Sequence, residues 1–138
     1  MQLQRCKIAN FAQFHTSHNG WIVGAFYEPG SIQYSGDLEI RHGIIEGREF
    51  IFSPHYHTQR TSYLLVVKGE IVMKFDGQQV TVSAGQFAIF LPGVTEEGIS
   101  AKPGTELLII RTPSSPKEDK VEIVPHQTSV RTLPLQRI

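Results

Sequence analysis

The segment IFSPHYHTQRTSYLLVVKGE, residues 51–70, contains the most chemically suggestive spacing in the chain, His55 and His57 with one residue between them. On a β-strand, residues two apart point to the same face, with Cα atoms about 6.5–7 Å from each other. Two imidazoles placed in this way can share one metal ion, and neutral imidazole is a common ligand for zinc, iron, copper and nickel. Without a metal, the pair could act in acid–base work, because imidazole titrates near neutral pH. A third reading needs neither role, only two polar residues on a half-buried strand. Gln59 and Arg60 follow on what reads as a turn and are candidates to line the mouth of a pocket. His15, His18, His42 and His126 have no partner at ligand spacing and read as surface or structural residues.

A histidine pair needs a frame to aim it, and the rest of the chain supplies β structure. Gly and Pro recur in YEPGS, YSGD, KGE, FDGQQ, SAGQ, LPG and KPGT, marking turns between short runs of β-branched and aromatic residues. Strands are expected at 21–26, 37–45, 49–57, 63–67, 70–75, 78–82, 87–91 and 106–112. EIVMKFDGQQVTV is the clearest hairpin, with its turn at Asp76-Gly77. No window offers a convincing helix. Many short strands at regular spacing give an all-β sandwich or barrel. The expected organisation is an N-terminal arm over 1–20, a barrel over 21–112 and an extended C-terminal arm over 113–138. That last arm mixes Pro, Ser and charge around VEIV. It could wrap the barrel or add a strand to a neighbouring subunit.

The arrangement resembles the cupin family. That family's first motif combines a glycine, H-x-H, a glutamate and a second glycine, and its second combines two glycines, a proline, a histidine and an asparagine. His55, His57 and Gly69 fall on the first motif, and Gly85 and Gly93 on the second, in GQFAIFLPGVTEEGIS. The resemblance covers roughly 21–112 and implies a jelly-roll β-barrel with a metal or small ligand in its mouth. Several positions depart from the pattern. Ser62 stands where the glutamate is usual, Glu49 replaces the leading glycine (Gly47 is near), Leu91 precedes Pro92, Glu96 replaces the histidine, and Ser100 the asparagine.

The resemblance therefore leaves His55, His57 and Glu96 as metal ligands. Two imidazoles and one carboxylate suit a divalent iron, manganese, zinc or nickel ion with positions left open for substrate. Ser62, a poor ligand, becomes a pocket candidate beside Gln59 and Arg60. Glu96 and Glu97 point opposite ways on extended backbone, so at most one can face the mouth. SGDLEIRHGIIEGREF, PHYH and ELLIIRTPSSPKEDK also look like a group of small bacterial cupins that carry Thr-Glu-Tyr where this chain has Thr61-Ser62-Tyr63.

Composition limits the partners. Thirteen basic and thirteen acidic residues among 138 balance, and no basic block stands out, so nucleic acid is not expected. No apolar run approaches the roughly 20 residues that span a bilayer. No secretory h-region is visible near the start, and the single cysteine, Cys6, fits a reducing compartment, so a cytoplasmic protein is expected. Exposed sheet edges in a small barrel favour a homodimer. The leading functional expectation is a cupin that binds one divalent metal and acts on a small polar molecule by oxygenase, lyase or isomerase chemistry. Two alternatives stay open: a metal-free ligand-binding or regulatory module, and a metal-free sugar-nucleotide epimerase or isomerase using the histidine pair.

Overall fold

The computed structural model describes residues 2–3, 5–46, 50–115 and 118–123. A short ladder of β1 (Gln2–Leu3) and β2 (Cys6–Lys7) opens the chain, followed by helix α1 (Ala12–Ser17). Next come β3 (Trp21–Val23), β4 (Glu39–Ile45), β5 (Phe52–His57), β6 (Thr61–Lys68) and β7 (Glu70–Phe75). The remaining strands are β8 (Gln78–Ser83), β9 (Phe87–Phe90), β10 (Glu96–Ala101), β11 (Thr105–Thr112) and β12 (Lys120–Glu122). They form two five-stranded sheets, in the orders β12-β5-β10-β7-β8 and β3-β4-β11-β6-β9, and every pairing between these strands is antiparallel. The all-β jelly-roll expected from the sequence is the fold observed. Among the described residues, no helix is long and apolar enough to cross a membrane.

Strand alternation builds the interior. On β6 the buried side chains are Ser62, Leu64 and Val66, and on β7 they are Ile71 and Met73. With Leu107, Phe90, Val82, Ile45 and Phe50 these apolar residues form one core between the sheets. Burial along these strands therefore follows the period of two that extended backbone imposes. The expected hairpin is β7–β8. Its turn places Asp76 and Gly77 at φ 49° and 82°, and the Asp76 carboxylate accepts the Thr95 N–H at 2.9 Å.

The structure departs from expectation in three places. A helix over Ala12–Ser17 was not anticipated, because six residues are too few to show a period. It ends at Asn19 and Gly20, both at positive φ, and is fixed to the barrel by Phe11 stacked on His42 at 3.9 Å. His42, buried, also contacts His15 Nε2 at 2.9 Å and Glu106 at 2.7 Å, so it is a structural residue with two partners. Strand β10 lies outside the strands expected from the sequence, since EEGISA is charged and broken by glycine. Gly98 is needed there: a Cβ would collide with the Phe50 carbonyl and the Phe52 ring, at the irregularity where β10 changes register. Finally, 120–122 of the C-terminal segment adds a strand to the protein's own sheet beside β5. His126 lies outside the described residues.

Gly69, at φ +82° between β6 and β7, has the Thr105 hydroxyl where its Cβ would sit. Thr105 is fully buried, and its hydroxyl bonds Glu70 and Lys102, so it cannot yield. Gly69→Ala is expected to cost about 2–3 kcal/mol, from backbone strain plus collision. Gly85→Ala, at φ +84° in open space, should cost only about 1 kcal/mol. Urea unfolding midpoints at unchanged m-value measure the difference.

Candidate metal centre

β5 and β10 bring the chemistry together. They lie side by side with Glu96 opposite His55, and both point inward with His57. His55, His57 and Glu96 are all buried, and their ligand atoms lie within 4.8 Å of one another. Glu97 faces the other way, opposite Lys74, so the alternation between 96 and 97 is resolved in favour of Glu96.

Hydrogen bonding fixes which nitrogen of each ring faces the others. His55 Nδ1 lies 3.0 Å from the Ser53 carbonyl. A carbonyl only accepts, so Nδ1 carries the hydrogen and Nε2 of the neutral ring presents a lone pair. That Nε2 stands 3.4 Å from Glu96 Oε1. His57 Nδ1 donates to the Asp119 carboxylate at 2.8 Å. Its Nε2 is buried without a hydrogen-bond partner among the described residues. Two lone pairs and a carboxylate thus converge, an arrangement that calls for a cation or a proton between them. Asp119 supplies the carboxylate that commonly orients a metal-bound imidazole.

Asp119 was missed by sequence reasoning. It precedes β12 on a segment read as an arm, and only the pairing of Lys120 with His57 brings it to the site. No spacing in the sequence connects 119 to 57. Its carboxylate accepts the backbone N–H groups of Gln59 and Arg60, each at 2.9 Å. Burial opposes its charge, but the hydrogen bonds from His57, Gln59 and Arg60 outweigh it, holding the carboxyl below the usual aspartate range.

The remaining candidates divide. Ser62 is buried and lines the cavity with the histidines. Gln59 and Arg60, expected at the mouth, do not line it. Gln59 contributes its backbone N–H to Asp119, and Arg60 is a buried tie. The Arg60 guanidinium meets Asp119 at 3.5 Å, Glu118 at 3.4 Å, Glu39 at 3.8 Å and the Ser115 carbonyl at 2.8 Å. A second acidic group, His57 with Glu118 and Asp119, is also close enough to gather around a cation. Asp119 there is already saturated by N–H donors and Arg60, which makes it an orienting group. The cavity measures about 380 Å³, with Phe50, Leu64, Met73, Phe90 and Leu107 as an apolar floor and Arg41, Arg111, Glu118 and Lys120 among its polar lining.

Residues 42–103 match the family model for the Cupin domain. Those residues carry a cupin domain. No curated protein sequence matches it significantly. Among solved structures, this cupin is similar to Pac13 of Streptomyces, a nucleoside dehydratase, at 13% identity and TM-score 0.54 over 64% of this chain and 70% of that one. It is similar to KdgF from Halomonas sp. at 17% identity and TM-score 0.54, over 59% of this chain and 74% of that one. A variant of Bacillus subtilis oxalate decarboxylase matches at 16% identity and TM-score 0.56, over 82% of this chain but only 30% of the larger protein. At these identities the shared feature is the fold.

Arg60 ties the C-terminal segment of this cupin to the barrel. Arg60→Met should cost about 1–3 kcal/mol, because Glu39 and Asp119 would each lose a charged partner while Glu39 keeps Arg111 and Asp119 keeps its N–H donors. A lowered melting temperature at unchanged secondary structure by circular dichroism is the expected result.

Proposed function

We propose that this cupin binds one divalent metal ion through His55, His57 and Glu96 and acts on a small polar molecule in the cavity above them. The observation that carries the reading is the buried, unpartnered Nε2 of His57, aligned by Asp119 and facing a second lone pair and a carboxylate. Leaving such a nitrogen dry and unbonded is costly, and a cation removes the cost. Two imidazoles and a carboxylate suit iron, manganese, zinc or nickel in the divalent state. When bound, such an ion supplies Lewis acidity and open positions for substrate or water.

The chain's own groups prepare the site in distinct ways. Ser53 and Asp119 hold the two rings in the tautomer that presents Nε2. The apolar floor excludes water and strengthens every charge interaction above it. A cavity of about 380 Å³ is of the size that holds a small metabolite. Solved relatives in fold include a nucleoside dehydratase, a form of it with uridine and an oxalate decarboxylase, which supports small-molecule chemistry in this barrel type without selecting a reaction. The metal-free acid–base reading rests on the same His55–Glu96 contact, with a shared proton in place of the ion.

We also infer a homodimer and a cytoplasmic setting. α1 covers the β4 end of the outer sheet face through Phe11. The other end stays open: Phe87, Ile89 and Leu91 on and just after edge strand β9, with Val67 on β6, are each more than half exposed. A second copy packed there would bury this stripe. The only cysteine, exposed Cys6, suits a reducing compartment.

Protein purified without a histidine tag should contain near-stoichiometric metal by elemental analysis, and EDTA should lower its melting temperature. His57→Ala and Glu96→Ala should lose the metal, whereas Asp119→Asn should weaken it about 10–100-fold. Metal-free protein with a melt indifferent to EDTA would leave the proton-sharing alternative. In light scattering, wild type should elute as a dimer and the double variant Phe87→Lys, Ile89→Lys as a monomer. A monomeric wild type would remove the dimer.

A further inference from the structure

Two guanidinium groups in the cavity wall are not explained by the metal site. Arg41 on β4 and Arg111 on β11 both line the cavity, and both lie against the Trp21 ring, at 5.8 and 5.4 Å from its centroid. Arg111 stands opposite Ser62 in the pairing of β11 with β6, and Ser62 lines the same cavity as the histidines. The cation pair and the proposed metal ligands therefore share one chamber.

Their charges are poorly compensated. Arg41 bonds neutral oxygens of Asn19, the backbone carbonyl at 2.8 Å and the side chain at 3.5 Å, with no carboxylate in ion-pair range among the described residues. Arg111 reaches Glu39 at 3.4 Å, but Glu39 is also claimed by Arg60 and by the Ser114 hydroxyl. The Nε of Arg111 is buried with no hydrogen-bond partner among the described residues. Burial, and then the positive charge of Arg111, lower the Arg41 pKa. Lys120, the other cation of the lining, is neutralised by Glu122 at 3.1 Å. An unbonded guanidinium N–H inside a protein is as costly as any other unsatisfied donor, and an arriving anion would relieve it.

We infer that Arg41 and Arg111 form the anchor for a carboxylate on the substrate, whose other end reaches the His55–His57–Glu96 cluster. This assignment builds on the proposed metal site and names the substrate class as a small organic acid. Of the three cations in the lining, Arg41 is the one with no carboxylate in ion-pair range among the described residues, which suits a monoanionic carboxylate better than a dianionic phosphate. The planar fork of guanidinium also fits a carboxylate in two-point contact. Trp21, against both groups, holds them in place by cation–π contact.

The test is calorimetric titration of glutarate, glutaramide and inorganic phosphate into EDTA-treated and manganese-loaded full-length protein. Glutarate should bind both forms, more tightly with manganese, and glutaramide should bind at least tenfold more weakly. Arg41→Gln should weaken glutarate roughly tenfold or more in both forms. Arg111→Lys, which keeps the charge and loses Nε, should also weaken it, with melting temperature verifying the fold. Equal affinity for glutarate and glutaramide, unchanged glutarate binding in Arg41→Gln, tighter binding of phosphate, or no binding of glutarate to either form would each overturn the anchor. Arg41-dependent binding by metal-free protein that never takes up manganese would retain the anchor while removing the metal, so the two readings fail separately.

Discussion

The hydrogen bond from His57 Nδ1 to Asp119 is the interaction on which the site depends. It settles the tautomer of the ring, directs Nε2 into a dry chamber, and attaches the C-terminal segment to β5 at the point where chemistry is needed. A partly buried aspartate is stable there because three N–H donors converge on it and Arg60 stands beside it. Remove the carboxylate and the imidazole is free to turn. The other ring needs no such partner, since His55 finds the carbonyl of Ser53 on its own strand.

Sheet order turns this local bond into a site. β5 lies between β10 and β12, so one neighbour carries Glu96 and the other is preceded by Asp119. Both carboxylates reach the same pair of histidines from opposite sides, one toward Nε2 of His55 and one toward Nδ1 of His57. The facing sheet contributes Leu64, Phe90 and Leu107 of the floor, from β6, β9 and β11, and the two arginines from β4 and β11. The chemical roles are therefore spread over several strands, and none can be moved without shifting a register.

The buried charges around β12 serve specificity more than stability. Arg60, Glu39, Asp119 and Ser114 connect the turn after β5, the start of β4 and the C-terminal segment. An apolar cluster of equal volume could hold these pieces as firmly, because desolvation offsets much of the attraction between buried ions. It could not hold an imidazole in one tautomer. The same polar cluster leaves the Nε of Arg111 without a bond, and the uneven charge points toward an anionic visitor.

The sequence by itself determined the barrel and half of the site. The β-rich runs over 63–67 and 70–75, the Asp76-Gly77 turn and the two histidines at strand spacing are local features, and local geometry carries them into the fold unchanged. Glu96 was legible only by its place in a family pattern, because EEGISA has the composition of a loop and becomes a strand through pairing on both sides. Helix α1 was too short to show a period. Tertiary structure alone decided that Asp119 meets His57 across 62 residues, that Arg60 is a buried tie, and that Arg41 and Arg111 share a wall with the histidines. These contacts join residues distant along the chain, and a pairing register is a property of two strands that neither strand's sequence contains.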